Sequence, residues 1–490
     1  MRLDGSAVSL TDFAAGMRAP ATLDVTAEMR ANVERAHAIV LSLASGEAPI
    51  YGLNTALGGK LSHRIPPDEI ATYQAQIIRG RAVACGRPLA EEIGRGVILS
   101  RLLSAAHGFS GLSPTAFDHL VAVYHAGLSP VVPEYGSIGA SDLVQNAHVA
   151  MALSGEADIW HEGEIKSGPN AFAACGLTAV ALRPKDGLAL INHSGTSIAL
   201  AARALADASR ALDMMRAAAV LSYDGYAANR QIFDDDVNAL RVSPGQREAA
   251  AWFRDALEGT QSAPRRIQEA LSFRTVAVVF GAADDALRRA IAVFEDELNG
   301  CADSPVVTDA ETMVSTANYM TPGLGLALEN LSLALVGVAH ASAQRQQKLM
   351  HPDFSALPKY LAAPESAAAG FVPSQKTAAS LLAEIKLGAA PALPDAPGVS
   401  DAVEDVASTT PQSARKLAVQ LAPFELLAAL EALVAAQAMD LRGLDMCGGR
   451  GKFLHGEIRK VAAFVEQDRM LGPDIEAVRR VLRMHGSVHH

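Results

Sequence analysis

Several features are scarce in this 490-residue chain, and each scarcity excludes a class of protein. Aromatic residues make up only 5% of the sequence, whereas alanine and leucine are abundant. Because alanine and leucine favour helices and aromatic residues favour strands, this composition predicts a mainly helical protein. The chain has no Lys/Arg block and a formal net charge of −11, which disfavours nucleic acids and anionic membranes as partners. We therefore expect a small-molecule ligand.

Cysteine is also scarce, and signals for export are missing. The four cysteines form no CxxC pair, which indicates neither a zinc site nor a disulfide framework and fits reduced thiols. The N-terminal sequence MRLDGSAVSLTDFAAG lacks the apolar stretch of a signal peptide. Inspection finds no run of about 18 uncharged apolar residues. We expect a soluble, cytoplasmic protein that does not interact with membranes.

The common signatures of metal, nucleotide and serine-hydrolase sites are absent as well. Turns such as YGLNTALGG have neither the strand–GxGxxG–helix context nor the Lys-Ser/Thr of a phosphate-binding loop. Ser194 lies in HSGTS, which is not the GxSxG of a hydrolase. Neither HxxxH nor HExxH spacing is formed by His107, His125, His148, His193, His340 or His351. We therefore expect no metal site.

What is present is a series of segments with apolar residues at helical spacing. The shorter ones predict helices over residues 70–84, 91–106 and 114–126. Long Ala-rich helices are predicted over residues 197–222, 264–297, 324–350 and 412–442. Several long helices in series are typical of a bundle. The change of texture near residue 200 suggests a division into residues 1–200 and 201–490, and the Pro- and Gly-rich segment 387–405 predicts an ordered loop or lid.

A set of polar residues lies in apolar or glycine-rich surroundings. Taken singly, each has a structural interpretation: a half-buried loop aromatic for Tyr51, a helix-surface charge for Arg274 and a solvated acid for Glu404. The segments that contain them are PIYGLNTALGG, GSIGASDLVQNAH, ALINHSGTS, LSFRT, NGCADSP, TANYM and DAVEDVAS.

In combination these segments point further. YGLNT, GSIGAS, LALIN..GTS, LSFR, LNGCADSPVV, ANYM and AMDLRG resemble, in order and rough spacing, the motifs of the histidine and aromatic amino acid ammonia-lyases, from about residue 45 to about residue 445. The resemblance implies a mainly α, long-helix superhelical bundle that assembles as a homotetramer, with each active site built from three subunits. It also implies a carbon–nitrogen lyase that catalyses α,β-elimination of an amine from an amino acid.

The resemblance assigns roles to individual residues. Tyr51 matches the family's catalytic base, which removes a weakly acidic β-proton. Arg274 matches the arginine that binds the substrate carboxylate through its planar guanidinium. Asn318 and Asn192 match asparagines near the carboxylate and amine ends of the substrate. INHSGTS is two residues longer than the family motif, so either Asn192 or Ser194 occupies the family position.

The segment GSIGASDLVQNAH departs from the family pattern at a critical point. In these lyases an Ala-Ser-Gly tripeptide cyclises to methylidene-imidazolone, an electrophile that holds the amino group of the substrate. Here Ala140 and Ser141 are followed by Asp142, so the glycine is either deleted or replaced. We expect that Ala140-Ser141 does not form the group and that the protein requires no cofactor. The alternative is an ordinary ammonia-lyase or aminomutase in which the group does form.

Two further positions bear on the substrate. Glu404 matches the acid of the family's histidine-specific members, which favours a nitrogen heterocycle over a phenyl ring. Arg81 stands where those members have another residue. It either pairs with Glu404 or donates to a polar ring substituent, or it caps a helix or bridges subunits.

The missing glycine leads to a hypothesis about the leaving group. Ammonia leaves poorly from an unactivated α-carbon, whereas a trimethylammonium group leaves as neutral trimethylamine without an electrophile. One branch of the family lacks the prosthetic group and eliminates trimethylamine from ergothioneine, and the chain resembles this branch. We therefore expect the substrate to be a histidine-like amino acid or its trimethylammonium betaine, of the ergothioneine or hercynine type. The expected product is of the urocanate type. A non-catalytic scaffold is the remaining alternative.

Overall fold

The computed structural model describes residues 1–58, 62–363, 367–392 and 398–486. The described chain is mainly helical and has the long-helix fold predicted from the sequence. Its α-helices are, in chain order, α1 Leu10–Arg18, α2 Ala27–Ala44, α3 Ile70–Arg79, α4 Glu91–Ala106, α5 Pro114–His125, α6 Leu143–Leu153, α7 Gly168–Ala174, α8 Asp186–Ile191, α9 Gly195–Tyr226, α10 Asp235–Ala239, α11 Pro244–Ala256, α12 Leu271–Arg274, α13 Val276–Leu298, α14 Pro322–Leu349, α15 Pro352–Ser355, α16 Ser374–Gly388, α17 Thr410–Arg442, α18 Gly449–Val461 and α19 Gly472–His485.

Short strands form small sheets between the helices. Strands β1 and β2 pair in parallel, whereas β3 pairs with β5, β4 with β6, β6 with β7 and β8 with β9 in antiparallel fashion. The strands are β1 Arg2–Leu3, β2 Asp24–Val25, β3 Cys85–Pro88, β4 Ser129–Pro130, β5 Pro133–Tyr135, β6 Asp158–His161, β7 Glu164–Ser167, β8 Val306–Val307 and β9 Met313–Val314.

The chain divides into two compact units, each assembled from separate stretches of sequence. Unit 1 comprises Met1–Ala206, Ile291–Leu328 and Ala392–Arg415, and unit 2 comprises Asp207–Ala290, Glu329–Pro391 and Lys416–His490. The division at residue 200 suggested by the sequence texture stays a prediction.

In unit 1, close packing of α3 and α8 positions two loops that matter below. Gly187 lies on α8, and a Cβ atom there would be 2.3 Å from the backbone oxygen of Gln74 on α3. Only glycine permits this approach. The Gln74 side chain also accepts a hydrogen bond from the backbone N–H of Leu188 at 3.1 Å. Arg81 follows the end of α3 and Asn192 follows the end of α8, so this contact fixes both segments.

In unit 2, a buried ion pair joins the long helices. Arg345 on α14 donates to the Glu431 carboxylate on α17 through Nε at 2.6 Å and Nη2 at 2.9 Å, and both side chains are fully buried. The Ser222 hydroxyl on α9 donates to the same carboxylate at 2.7 Å. Removing one partner of such a pair leaves an uncompensated charge and costs about 3–5 kcal/mol. Small residues allow the backbones to approach, since a Cβ at Gly225 would lie 3.0 Å from the Ala435 oxygen.

Two predicted helices differ from the observed ones by five residues or more at one end. The helix predicted over residues 70–84 ends at Arg79, because Gly80 and Arg81 turn the chain toward β3. The helix predicted over residues 264–297 is replaced by the short α12 and by α13, which starts at Val276. Thr275 separates them, and its hydroxyl donates to the Leu271 carbonyl oxygen at 2.7 Å, a local hydrogen bond that competes with a continuous helix.

Among the described residues, two helices are long and apolar enough, by length and composition alone, to cross a membrane. They are α14 and α17, and 56% and 72% of their most apolar windows are buried within the structure. A stretch that contains up to two charged residues can still be this apolar. The two helices are therefore compatible with the prediction that no run of about 18 uncharged apolar residues occurs. Burial of this extent is typical of core helices.

Candidate active site

A cavity of about 520 Å³ lies within unit 1 and is lined by residues from several distant segments. It brings together more than half of the residues singled out in the sequence. Those that line it are Tyr51, Arg81, Ala140, Ser141, Asn192 and Glu404.

The loop that carries Tyr51 is held by the side chain of Asn54. Its Oδ1 accepts from the backbone N–H of Ile50 at 2.8 Å, and its Nδ2 donates to the Ala48 carbonyl oxygen at 2.9 Å. Gly52 has a φ of +66°, and a Cβ there would lie 2.4 Å from the Leu188 side chain. The tight turn therefore depends on glycine, and it leaves Tyr51 half-buried at the cavity wall.

The carboxylate of Asp142 anchors the turn that follows Ala140. It is fully buried and accepts from the Ser137 hydroxyl at 2.6 Å, from the Ser197 hydroxyl at 2.9 Å and from the Ser197 backbone N–H at 2.6 Å. Burial raises the pKa of Asp142, and these hydrogen bonds oppose that shift. Ser141 has a φ of +59°, an uncommon conformation for a residue other than glycine. Asp142 thus supports the wall from behind and does not line the cavity in the described chain.

His193, one of the two extra residues, braces the same turn. The carbonyl oxygen of His193 accepts from the backbone N–H of Asp142 at 3.0 Å and from Asn146 Nδ2 at 2.8 Å. The buried imidazole accepts from the Gly195 N–H at Nδ1, so its Nε2 carries the proton donated to Leu190. Burial lowers the pKa of His193 to about 3, which keeps the ring neutral.

Of the two candidates in INHSGTS, the structure places Asn192 in the cavity wall. Asn192 Nδ2 donates to the Ser304 carbonyl oxygen at 2.5 Å. Ser194 is buried and is not part of the wall in the described residues.

The residues at this turn do not fit a methylidene-imidazolone group. Its formation requires the amide nitrogen of the third residue to attack the carbonyl carbon of the first. Here the third residue is Asp142, whose N–H already donates to His193 and whose side chain is fixed by three hydrogen bonds. A glycine, which would let the backbone fold onto itself, is missing from the position.

Glu404 reaches the cavity on a tight turn. The backbone N–H of Val399 donates to the Glu404 carbonyl oxygen at 3.0 Å, and the N–H of Glu404 donates back to Val399 at 3.2 Å. Ser400, Asp401 and Ala402 between them all have positive φ, which strains residues other than glycine. Residues 393–397 of the predicted lid 387–405 lie outside the described part of the chain.

Hydrogen bonds also attach the segment after Glu404 to the Ala140 turn. The Ser408 hydroxyl donates to the Gly139 carbonyl oxygen at 2.8 Å, and the backbone N–H of Thr409 donates to Ile138 at 2.9 Å. The carboxylate of Glu404 and the Ala140 turn are therefore parts of one connected wall.

Arg81 contributes a cation to the cavity while contacting the end of α3. Its Nη1 donates to the Ile77 carbonyl oxygen at 3.3 Å, and the side chain is half-buried. The capping and lining interpretations of Arg81 are thus geometrically compatible.

Tyr319 is a cavity residue that the sequence analysis missed. It lines the wall with Tyr51 and Glu404, and the bridge between Ala140 and Met320 holds its backbone against the turn. Burial, the Glu404 carboxylate and Tyr51 together raise the pKa of Tyr319, so its hydroxyl stays protonated and can donate. The segment ANYM indicated this region, but the role in substrate binding was assigned to the neighbouring Asn318. Asn318 is exposed and does not line the cavity in the described residues.

Arg274 lies in unit 2 and does not line the cavity within the described chain. It is exposed on α12. The side-chain oxygen of Gln268 accepts from Arg274 Nη1 at 2.6 Å in the amide orientation that satisfies both groups. An exposed guanidinium of this kind remains available to a carboxylate.

Chemically, the cavity can bind a polar, zwitterionic molecule. From the part of the chain that the structure describes, it offers one guanidinium, one carboxylate, two phenols and several hydroxyl groups beside apolar side chains. The described residues contain no group of three or more His, Cys, Asp or Glu side chains placed to hold a metal ion.

Comparison with known proteins places this chain among lyases. The family model for aromatic amino acid lyases matches residues 8–460. The histidine ammonia-lyase of Treponema denticola is 33% identical over 478 residues, which cover 96% of this chain and 94% of that protein. The histidine ammonia-lyase of Deinococcus radiodurans is 32% identical over 481 residues, covering 96% of this chain and 91% of that protein.

Solved structures give the same result. The ergothioneine-degrading enzyme ergothionase from Treponema denticola, in complex with desmethyl-ergothioneine sulfonic acid, is 28% identical with a TM-score of 0.96, and 100% of both chains is covered. Histidine ammonia-lyase from Trypanosoma cruzi is 27% identical with a TM-score of 0.90, covering 99% of this chain and 94% of that chain. The chain therefore belongs to the aromatic amino acid lyase family and is a carbon–nitrogen lyase.

Proposed function

We propose that this lyase eliminates trimethylamine from a histidine betaine of the ergothioneine or hercynine type and releases a urocanate-type acid, without a methylidene-imidazolone group. The observation that carries the proposal is the turn at Ala140-Ser141-Asp142. Its glycine is missing, and the amide N–H of Asp142 is bound to the His193 carbonyl oxygen.

The leaving group follows from that observation. Without an electrophile to hold it, an α-amino group departs poorly as ammonia. A trimethylammonium group is permanently cationic and leaves as neutral trimethylamine when the Cα–N electron pair moves to nitrogen. The β-proton passes to a base, and the C–H electron pair forms the Cα–Cβ double bond. The products are an unsaturated carboxylate, trimethylamine and the protonated base.

The wall around the Ala140 turn suits such a leaving group. Ile138, Leu143, Val144 and Leu188 line the cavity together with this turn. A trimethylammonium group has no N–H to donate, so apolar side chains do not leave it with an unsatisfied hydrogen bond. Phenol faces also attract quaternary ammonium groups, and Tyr51 and Tyr319 supply two of them.

We assign the base to Tyr51 and a donor role to Tyr319. Both phenols line the cavity, but the pKa of Tyr319 is raised by burial, by Glu404 and by Tyr51. A phenol kept protonated donates hydrogen bonds and does not take up a proton. Tyr51 matches the family's catalytic tyrosine and is our candidate for removal of the β-proton, a step for which a positioned base typically contributes about 10²–10⁴-fold in rate.

Glu404 and Arg81 are the proposed ring contacts. The Glu404 carboxylate can accept from an imidazole N–H, and the Arg81 guanidinium can donate to an electron-rich substituent such as a ring sulfur. A plain phenyl ring has neither group, so this pair favours a nitrogen heterocycle.

The remaining assignments require the assembled protein. Arg274 binds the substrate carboxylate, and Asn318 supports it. Asn192, rather than Ser194, occupies the family's asparagine position near the amine end of the substrate. Arg274 and Asn318 are exposed in the single chain. The proposal therefore includes a homotetramer in which neighbouring subunits complete each site, and closed symmetry of this kind is common among soluble homo-oligomers.

A second candidate is elimination of ammonia from histidine. Relatives at 32–33% identity are histidine ammonia-lyases, which favours this candidate. The structural similarity to an ergothioneine-degrading enzyme over 100% of both chains, at 28% identity, favours the betaine.

A difference spectrum tests the proposed function. The purified protein is mixed separately with ergothioneine, hercynine and histidine, and the appearance of a urocanate-type chromophore is followed. The betaines should produce the chromophore faster than histidine. A protein that produces it with none of the three, while its assembly is intact, contradicts the proposal.

A further inference from the structure

A second group of reactive side chains lies in unit 1, outside the residues that line the cavity. Strands β6 and β7 form a hairpin, α7 follows it, and Cys175 caps the end of α7. His161 ends β6 and Lys166 lies on β7. The three side chains are all half-buried and form a linear hydrogen-bonded group, called here the Cys175 cluster.

The protons of the Cys175 cluster follow from its hydrogen bonds. Lys166 Nζ lies 3.2 Å from His161 Nδ1, and His161 Nε2 lies 3.7 Å from the Cys175 sulfur. A lysine ammonium group has three donors and no acceptor, so Nδ1 of His161 must be the acceptor. With Nδ1 as the acceptor, Nε2 of His161 is the donor, and its N–H faces the Cys175 sulfur.

An N–H donor directed at sulfur stabilises the thiolate, which is the nucleophilic form of cysteine. The other thiols differ from Cys175 in their surroundings. Burial raises the pKa of Cys301 to about 11 and that of Cys447 to about 12, which keeps both protonated. Cys85 is exposed and therefore provides an accessible thiol for comparison within the same molecule.

We propose that Cys175 is a nucleophilic thiol that forms mixed disulfides with low-molecular-weight disulfides, and that His161 and Lys166 are its positioning residues. The Cys175 thiolate attacks one sulfur of the disulfide, a new S–S bond forms to Cys175, and the original S–S bond breaks. The other half leaves as a thiolate and takes up a proton from water. The reaction is independent of the elimination chemistry in the cavity.

Labelling of the full-length protein with dithiobis(nitrobenzoate) tests this proposal. The native protein is treated with a small excess of the reagent, samples are quenched over time, and peptide mass spectrometry gives the modified fraction of each cysteine. Cys175 should be modified faster than Cys85, although Cys85 is the more exposed of the two. Faster modification of Cys85 would overturn the proposal.

Variants separate the effect of the cluster from simple accessibility. Lys166→Met and His161→Phe should each slow the modification of Cys175 by roughly tenfold, because the N–H donor directed at the sulfur is lost or no longer held in position, and should leave the rate at Cys85 unchanged. Lys166→Arg keeps a cationic donor and should retain most of the rate. An unchanged rate at Cys175 in both Lys166→Met and His161→Phe would contradict the assigned roles, and continued protection of the buried Cys447 from the reagent reports that the fold is intact.

Discussion

The backbone N–H of Asp142 donates to the carbonyl oxygen of His193 at 3.0 Å. This hydrogen bond connects the two departures from the family motifs, the missing glycine and the two-residue insertion. The inserted His193 supplies the acceptor that fixes the Asp142 amide, and Asn146 donates to the same oxygen at 2.8 Å. The insertion and the altered tripeptide are thus parts of one local structure.

The intact mass of the purified protein should equal that of the unmodified sequence. Cyclisation of the tripeptide removes two molecules of water, and the geometry at Asp142 opposes it. High-resolution mass spectrometry of the whole chain measures the difference directly. A mass lower by two waters, located by fragmentation to residues 140–142, would show that the group forms.

Tyr51→Phe should abolish elimination while substrate binding is largely retained, because the hydroxyl acts mainly as a base. A fall in kcat of about 10²–10⁴-fold is expected. Tyr319→Phe provides the matched control, since it also removes a cavity phenol, and it should retain clearly more turnover than Tyr51→Phe. Full activity in Tyr51→Phe would refute the assigned base.

Arg274→Ala should weaken substrate binding chiefly through the carboxylate. A hydrogen bond to a charged group contributes about 1.5–3 kcal/mol, and the dissociation constant should rise accordingly. Calorimetric titration with a substrate analogue that cannot eliminate measures this change. Arg274→Lys keeps the charge but loses the two-pronged geometry, so its binding should be intermediate.

The same arginine reports on shared active sites. If Tyr51 and Arg274 of one site come from different subunits, coexpression of Tyr51→Phe and Arg274→Ala chains should restore about a quarter of the sites in a randomly assembled homotetramer. The assay is made at low substrate concentration, where Arg274→Ala alone has little activity. No recovery in mixed assemblies would contradict a site built across subunits.

Asp224 in unit 2 should make stability depend on pH. Burial raises its pKa from 3.8 to about 6 in the folded protein. Between these values the folded state holds a proton that the unfolded state has lost, so the stability contribution of this group falls as pH rises. As pH rises from about 4 to about 7, the free energy of unfolding of Asp224→Asn should therefore increase relative to that of the unsubstituted protein, by up to about 3 kcal/mol.

Asp440 provides a control of opposite sign for that measurement. Its carboxylate accepts from His455 at 2.7 Å and from Arg459 at 2.6 Å, and these partners lower its pKa. The stability that it contributes is present at neutral pH and is lost as pH falls through the folded pKa. Relative to the unsubstituted protein, Asp440→Asn should therefore show no gain in stability between about pH 4 and about pH 7, and its deficit should shrink only as pH falls below 3.8. Thermal unfolding of both variants measures these trends, and a gain of Asp440→Asn parallel to that of Asp224→Asn would contradict both assignments.

The sequence predicted the mainly helical fold from local signals, whereas the residues that line the cavity were singled out by their resemblance to family motifs. Helical spacing marked the bundle, and glycine-rich motifs marked the turns that hold Tyr51 and Ala140. Tyr319 was missed because a shift of one residue along a loop changes which side chain faces the cavity. A loop has no regular periodicity from which the facing side chain could be predicted. The break at Thr275 coincides with a hydrogen bond from its hydroxyl to the Leu271 carbonyl oxygen, a local feature that helical periodicity does not reveal.

The most direct test of the central claim is the amine released per urocanate-type product formed. Ergothioneine, hercynine and histidine are incubated separately with the same enzyme preparation, and trimethylamine and ammonia are quantified side by side by mass spectrometry and an enzymatic ammonia assay. We expect trimethylamine from a betaine in equal amount to the product, with little ammonia from histidine. Rapid ammonia release from histidine, faster than trimethylamine release from either betaine, would contradict the account.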